Sequence, residues 1–362
     1  GDRNTAIGVL ALGAQNFTTT TDSYNTAVGY TAGASITTGV QNVIVGGLAA
    51  DALTDADNNV AIGFNSLGAN VLGSRNVAIG TNALDTMNPA TATNMYNVGI
   101  GYSAGTVVTT GIQNTFVGGL ASDAQTSADG CTSLGYAALT DNQTGDDCVA
   151  IGRFALANAT GDDNVGLGSN SGDTITSGTG NTCIGHLADT STAAAVNRIA
   201  IGNQVTVSSD SRITVGAGAS IASLELNGSD TSWAASSDER LKENIASSTA
   251  GLSFINDLRP VTYNWKKAKD VPNDLPQYID GSDEPCLGKT YGTTLHGFVA
   301  QEVKTVLDNH SEVKDGQEIW QTDETTVQTL APSALVPMLV KALQEADDKI
   351  DALTARVAAL ET

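Results

Sequence analysis

The segment SSDERLK, residues 236–242, places hydroxyl, carboxylate, guanidinium and amine groups within seven residues, and Lys242 is the first lysine of the chain. A serine hydroxyl becomes a good nucleophile only when a base removes its proton, and a lysine whose pKa is lowered can be that base. Ser236 and Glu239 also fit a capping box at the start of a helix. On a regular helix, Ser237 and Lys242 would point about 140° apart. Two alternatives therefore stay open: a helix start, or a pair whose serine lies outside that helix.

The composition of the 362-residue chain limits the classes of function. The formal net charge is −22, with 18 acidic and 5 basic side chains in residues 1–236 and 21 and 12 in the remainder. Such a surface repels phosphate backbones and anionic lipids, so we expect neither nucleic acid binding nor membrane insertion. The four cysteines form no CxxC pair and the aspartate-rich turns lack a complete calcium loop, so we expect no metal and no cofactor.

A repeat of about 17 residues fills the first 203 residues. Motifs such as NTAIG, NVAIG and NTCIG recur, and their last glycines are 17 residues apart except for two steps of 21 and one of 16. A second period of 72 residues relates the segment that begins at residue 25 to the one that begins at residue 97. Seventeen residues suit one coil of a parallel β-roll or solenoid with two short strands and two turns. The repeat glycines are Gly8, Gly29, Gly46, Gly63, Gly80, Gly101, Gly118, Gly135, Gly152, Gly168, Gly185 and Gly202.

The repeat also predicts what fills each coil. We expect the glycine to permit a tight turn and the apolar residue before it to point inward, as at Ile7, Val28, Val45, Ile62 and Ile79. The asparagine that opens most coils should stack on the asparagine of the next coil, which continues a hydrogen-bond ladder along the axis. Cys131 and Cys148 occupy this position in successive coils, where we expect a pair of free thiols.

The NxxAIG signature at this spacing resembles the repeats in the β-roll head of trimeric bacterial surface adhesins, over residues 1–203. The resemblance implies that three chains associate and that each narrow coil buries an extra flank against its neighbours. Beyond residue 203 the 17-residue period is lost, and apolar and polar residues alternate instead. We interpret residues 204–235 as a β-rich neck.

The end of the chain carries an unbroken heptad pattern. Apolar residues alternate at steps of three and four over nearly four heptads, which is typical of a coiled coil. The alternative is one amphipathic helix packed on its own domain. In a coiled coil the trimerisation residues are Val336, Leu339, Leu343, Ala346, Ile350, Leu353, Val357 and Leu360.

Four segments in the last part of the chain resemble the peptidase S74 family, the intramolecular chaperone and auto-processing domain of bacteriophage tail spikes and tail fibres. They are SSDERLKENI, LRPVTYNWK, HGFVAQEV and LVPMLVKALQE, and their order and spacing agree with the family from residue 236 onward. The resemblance implies a domain that templates trimerisation of the β-rich segment before it and then removes itself.

The same resemblance assigns the catalytic residues. It implies that Ser237 is the nucleophile, that Lys242 is the base, and that the scissile bond joins Ser236 to Ser237. Asp238 and Arg240 are candidate supporting residues: Arg240 either stabilises the developing oxyanion or pairs with an acid. A working dyad requires Ser237 in an extended segment before the helix, or the two residues on different chains.

These observations predict a mainly β protein, a trimeric parallel β-roll followed by an α+β chaperone domain and a coiled-coil helix. We expect the roll at 1–203, the neck at 204–235, the auto-processing domain at 236–332 and the coiled coil at 333–362. The predicted function is a distal phage tail fibre or appendage segment for host attachment, with one self-cleavage by a serine endopeptidase.

The expected partners are two further copies of the chain, an upstream tail or fibre component, and a glycan or protein of the host cell surface. The expected location is the virion, after assembly in the host bacterial cytoplasm. One alternative is a structural trimeric adhesin that keeps its chaperone-like domain uncleaved, and another is a spike that degrades polysaccharide.

Overall fold

A computed structural model describes residues 1–227, 234–235, 237–287, 292–313, 319–322 and 327–361. The chain divides into two compact units, and the boundary follows Asp238. The finer division at residues 203, 235 and 332 stays a prediction.

The first unit consists of short strands joined by turns. Most strands have three residues, and the described ones are β1 (Thr5–Ile7), β2 (Thr26–Val28), β3 (Val43–Val45), β4 (Val60–Ile62), β5 (Gly73–Ser74), β6 (Val77–Ile79), β7 (Thr93–Asn94), β8 (Val98–Ile100), β9 (Thr115–Val117), β10 (Thr132–Leu134), β11 (Val149–Ile151), β12 (Val165–Leu167), β13 (Thr182–Ile184), β14 (Asp189–Thr190), β15 (Ile199–Asn203), β16 (Thr206–Val207), β17 (Arg212–Ala217), β18 (Ser220–Glu225) and β19 (Ala234–Ala235).

The coils stack as a solenoid. Within the described residues, fifteen of these strands form one sheet, in which β1 to β4, β6, β8 to β13, β15 and β17 pair in parallel and in chain order. Equivalent residues of successive coils pair directly, so Ile44 lies between Ala27 and Ala61. The last strands, β18 and β19, pair antiparallel. The predicted parallel β-solenoid is confirmed, with about 13 turns of about 17 residues.

The direction of the strand side chains differs from the expectation. The middle residue of each strand points into the coil: Ala27, Ile44 and Ala61 are fully buried. The residue before the glycine lies on the outer face, where Ile7 is 60% and Ile62 36% exposed. The prediction that these residues point inward is therefore wrong for the whole set, Ile7, Val28, Val45, Ile62 and Ile79.

The narrow interior of the coil explains this arrangement, because the space between a strand and the turn that faces it holds one large side chain. A turn residue usually supplies it, as Leu84 and Leu156 do, and a Cβ on Gly99 of the facing strand would lie 2.8 Å from Leu84 Cγ. Where the strand instead contributes a large residue, the turn has a glycine. A Cβ on Gly105 would lie 2.6 Å from the ring of Phe116.

The repeat glycine is required by both conformation and space. Gly63 has φ +133°, and a Cβ there would lie 2.6 Å from the carbonyl carbon and oxygen of Gly80 in the next coil. No side chain fits at that distance, and the positive φ favours glycine. The predicted tight turn after each strand is thus present.

The predicted asparagine ladder is present in the core. Asn59 Oδ1 accepts the backbone N–H of Asn76 at 3.0 Å, while Asn59 donates its own N–H to Asn42 Oδ1 at 2.9 Å. Its Nδ2 also donates to the carbonyl of Gly73 at 3.1 Å. Each buried amide therefore joins three levels of the solenoid. The ladder residues are Asn25, Asn42, Asn59, Asn76, Asn97, Asn114, Asn164 and Asn181.

Two thiols replace the amides in the middle of the ladder. Cys131 Sγ donates to the carbonyl of Gly145 at 3.2 Å, and Cys148 Sγ donates to that of Gly161 at 3.3 Å. Both cysteines are buried free thiols, as expected. Hydrogen bonding to Cys148, followed by burial, raises the pKa of Cys131.

The second unit has mixed structure around a small core. Phe254, Val303, Leu307, Ile319 and Leu335 form the centre of this core. Strands β20 and β21 pair antiparallel, as do β22 and β23. Its described elements are a 3₁₀ turn (Glu239–Leu241), α1 (Leu252–Asp257), β20 (Val261–Tyr263), a 3₁₀ turn (Ala268–Asp270), β21 (Leu295–Gly297), α2 (Ala300–Asn309), β22 (Trp320–Thr322), β23 (Gln328–Leu330), a 3₁₀ turn (Pro332–Leu335) and α3 (Val336–Leu360).

The ladder generates a stability prediction. Replacing Asn59 by alanine leaves the buried backbone N–H of Asn76 without its acceptor and removes one of the two amide donors to the carbonyl of Gly73. A buried polar group without a partner costs about 1–3 kcal/mol. We expect Asn59→Ala to lower the free energy of unfolding by at least about 2 kcal/mol, measured by urea denaturation. Asn158→Ala, at an exposed asparagine of the same solenoid, is the matched control. Equal losses in the two variants would contradict the role of the ladder.

Candidate active site

The predicted catalytic segment lies at the boundary of the two units. Ser237 and Asp238 are exposed and are the last two residues of the first unit. Lys242 is also exposed and belongs to the second unit. Ser236, the residue before the predicted scissile bond, lies outside the described residues. The assignment of Ser237 as nucleophile and Lys242 as base, with Asp238 and Arg240 in support, therefore stays a prediction.

The backbone after Ser237 does not form the regular helix that the capping-box interpretation predicts. Residues Glu239–Leu241 form one 3₁₀ turn, in which the N–H of Lys242 donates to the carbonyl of Glu239 at 3.0 Å. Residues 243–250 then have neither helix nor strand. Ser237 precedes this turn, so it lies where a serine outside a helix was required.

Helix α1 depends on a carboxylate from the distant helix α3. The N–H of Leu252 donates to Glu345 Oε2 at 2.8 Å, and this bond, with help from Lys341, lowers the pKa of Glu345. A Cβ on Gly251 would lie 2.5 Å from both carboxylate oxygens, so a larger residue there would displace the Glu345 side chain. Glu345 thus fixes α1 against the helix that carries the heptad pattern.

His310 connects the end of α2 to α1. Its Nε2 lies 2.9 Å from Asp257 Oδ2 and its Nδ1 lies 2.8 Å from Glu312 Oε1. Its ring packs edge-on against Phe254 at 5.4 Å between centroids. The hydrogen bonds to Asp257 and then to Glu312 raise the pKa of His310. This group is a structural link, since its side-chain partners Asp257, Glu312 and Phe254 join α1 to the end of α2.

An apolar pocket of about 290 Å³ lies beside the start of α3. Proline, leucine, isoleucine and phenylalanine side chains line it: Ile255, Leu258, Pro260, Phe298, Pro332, Leu335 and Leu339. It has no acid, base or nucleophile among its lining residues, so it suits an apolar side chain and not a reaction. Leu339 also belongs to the heptad pattern.

The heptad residues lie along a largely exposed side of α3. Leu343 is 70%, Ile350 60% and Leu353 56% exposed, while Ala342 on another side of the helix is buried in the unit. The helix therefore uses a different face to pack on its own unit. An exposed apolar stripe with this period is the surface that a coiled coil buries.

Two classes of site are not found in the described part of the chain. Its histidine, cysteine and acidic side chains form no group of three or more that could hold a metal ion. None of its described helices is long and apolar enough to cross a membrane.

A comparison with protein families gives one match. Residues 237–312 match the model of the peptidase S74 family, which is described as chaperone of endosialidase. The match begins at Ser237, the residue that follows the predicted scissile bond. The second unit is thus similar to this chaperone family over residues 239–312. No curated protein and no solved structure matches the chain.

Glu345 and His310 were not predicted from the sequence. Glu345 acts on a residue 93 positions away and His310 on one 53 positions away, so no local pattern connects these pairs. The one available signal was Gly251, a glycine directly before an apolar segment.

The raised pKa of His310 predicts how stability depends on pH. The folded state favours the protonated ring of His310. Its contribution to the free energy of unfolding is therefore complete below the ordinary pKa of about 6.5 and is lost as the pH rises through the higher pKa of the folded state. We expect the urea midpoint of the second unit, followed by fluorescence of Trp265 and Trp320 with Trp233→Phe in every sample, to fall from pH 6 to 9. His310→Gln should flatten this slope, and His296→Gln, at an exposed strand residue, should keep it. Identical slopes in both variants would exclude His310 as the cause.

Proposed function

We propose that this chain is a distal segment of a phage tail fibre or related appendage, whose C-terminal domain assembles three copies and then releases itself. The observation that carries the proposal is the chaperone match, which starts at Ser237, after the parallel β-solenoid and its two antiparallel strands. Residues 1–236 would be the mature part, which attaches to the host surface. Its upstream partner is a tail or fibre component, and its location is the virion after assembly in the bacterial cytoplasm.

The outer face of the solenoid supports association between copies. The first and third residues of the twelve repeat strands point outward, and none of these residues is charged in a chain of net charge −22. Ile7, Leu134 and Leu167 are 60%, 49% and 43% exposed. The stripe continues for about 55 Å at the spacing of stacked strands. An uncharged apolar stripe of this length on an acidic protein suits contact with further copies of the chain.

The exposed stripe of α3 supports the same assembly from the other unit. Three helices joined along it raise the effective concentration of the attached solenoids and place equivalent coils side by side. A parallel solenoid needs this help, because its contacts between neighbouring coils recur every 17 residues and a slip by one coil preserves most of them.

The proposed cleavage uses the geometry of adjacent residues. Ser237 Oγ attacks the carbonyl carbon of Ser236 while Lys242 takes the hydroxyl proton, and a five-membered ring forms. The C–N bond then breaks as the Lys242 ammonium returns the proton to Ser237 N, which leaves an ester on Ser237 Oγ and a free amine on Ser237 N. Water hydrolyses the ester to the Ser236 carboxylate and restores the hydroxyl. Proximity makes the first step effectively unimolecular.

Assembly would control this reaction. A lysine in water holds its proton, so it acts as a base only after its environment is desolvated or made more positive. Lys242 is exposed in the single chain. A neighbouring chain that covers this segment would therefore switch cleavage on, and release would follow folding.

Cleavage is tested by denaturing electrophoresis with sequencing of the new N-terminus. We expect two fragments from the wild type, with Ser237 as the new N-terminal residue, and one intact chain from Ser237→Ala and from Lys242→Arg. Ser236→Ala is the matched control, because the reaction uses only the carbonyl of residue 236. A wild type that stays at full length would support the uncleaved adhesin instead.

Assembly is tested by light scattering after size-exclusion chromatography. The double variant Leu343→Lys with Ile350→Lys puts two charges into the apolar stripe of α3. We expect it to prevent the formation of trimers and therefore to prevent cleavage. Gln344→Lys with Ala355→Lys adds the same charge at exposed positions outside the stripe and should assemble normally. A stripe variant that assembles and cleaves like the wild type would exclude the coiled coil.

A further inference from the structure

The residue that follows the repeat glycine forms a column along the solenoid with its own pattern. Between the second and eighth coils, aromatic and small residues alternate in it. The pattern is separate from the 17-residue signature, since it repeats only every two coils. In order, the residues are Tyr30, Gly47, Phe64, Thr81, Tyr102, Gly119 and Tyr136.

The aromatic rings of this column are exposed at a regular spacing. Tyr30, Phe64, Tyr102 and Tyr136 are 60%, 54%, 61% and 51% exposed. Successive rings stand two coils apart, which is about 9.6 Å for strands stacked at 4.8 Å. Large exposed apolar rings in a row are a feature of binding surfaces, because leaving them in water is unfavourable.

Gly47 and Gly119 keep the space between the rings open, although the fold does not require glycine there. A Cβ on Gly47 would lie 3.8 Å from its nearest atom, which belongs to the Phe64 ring. A Cβ on Gly119 would lie 3.7 Å from its nearest atom, which belongs to the Tyr136 ring. Both distances are ordinary contacts, and neither residue has a positive φ. The preceding repeat glycine, Gly46, instead has φ +142° and a clash at 2.4 Å.

The backbone at these glycines offers a hydrogen-bond donor. On either side of Gly47, the N–H of Gly46 donates to Val28 O at 2.9 Å and that of Leu48 donates to Tyr30 O at 3.0 Å. Within the described residues, the N–H groups of Gly47 and Gly119 donate to no protein acceptor. A partly exposed donor therefore lies between two rings in both copies of the 72-residue duplication.

We propose that this column binds an extended, uncharged polysaccharide that runs along the solenoid axis. The C–H face of a pyranose stacks on an aromatic ring, and a sugar oxygen between two rings accepts the glycine N–H. An extended chain of β-linked pyranoses advances by a similar length every two sugars, so alternate sugars meet successive rings. The acidic surface disfavours polyanionic chains. This inference rests on the proposed role in host attachment, for which it names the ligand class.

The test uses the full chain on an array of purified bacterial capsular and O-antigen polysaccharides, half of them neutral and half anionic. We expect binding to a neutral polysaccharide, with affinity that rises with oligosaccharide length. Tyr30→Ala with Tyr102→Ala should lower the affinity by about tenfold or more, and so should Gly47→Leu with Gly119→Leu, which fills the gaps. Tyr24→Ala with Tyr96→Ala, two tyrosines outside the column that are each 46% exposed, is the matched control.

Three results would overturn the proposal. They are binding to anionic polysaccharides alone, no binding at all, and loss of trimers in the column variants, which would make the column a contact between copies. Trimer mass and N-terminal sequence, measured on the same samples, report on assembly and cleavage separately. Normal assembly and cleavage without polysaccharide binding would remove this inference and leave the proposed function standing.

Discussion

The width of the coil is the constraint on which the rest of the solenoid depends. The space between a strand and the turn that faces it has room for one large side chain, from the turn as at Leu84 or from the strand as at Phe116, whose ring fills the space over Gly105. The strands therefore turn small residues inward and their β-branched residues outward. A single chain is left with an apolar outer stripe, which makes association with further copies favourable. The proposed association with further copies thus follows from how thin the coil is.

The same geometry makes correct assembly difficult. Turn residues such as Leu67 and Leu84 have φ of 52° and 49°, a left-handed conformation that costs non-glycine residues about 1–2 kcal/mol each. Such turns become stable only when neighbouring coils are in place to bury their side chains. A repeated sequence also offers alternative registers that are nearly equivalent. The proposed clamp, which starts three chains from one end, would address both problems, and its proposed removal would leave the product kinetically trapped.

The sequence predicted those features that depend on spacing alone. The 17-residue period, the repeat glycines and the Asn59 ladder follow from residue types at fixed intervals, and the structure contains each of them. The prediction of which strand residues point inward was wrong. Alternation along a strand permits two phases, and the usual preference for large inward residues fails in so narrow a coil. Contacts such as Leu252 with Glu345 join distant segments, so no local pattern reveals them. The SSDERLK segment contains the boundary between the two units, whereas the catalytic pairing of Ser237 with Lys242 stays a prediction.

Native mass spectrometry of the purified wild-type protein tests most directly whether three chains are first joined and then separated from their assembly domain. We expect one complex with the mass of three copies of residues 1–236, and residues 237–362 in a separate species. A single copy of residues 1–236 would contradict the proposed trimer. Three intact chains would contradict the release.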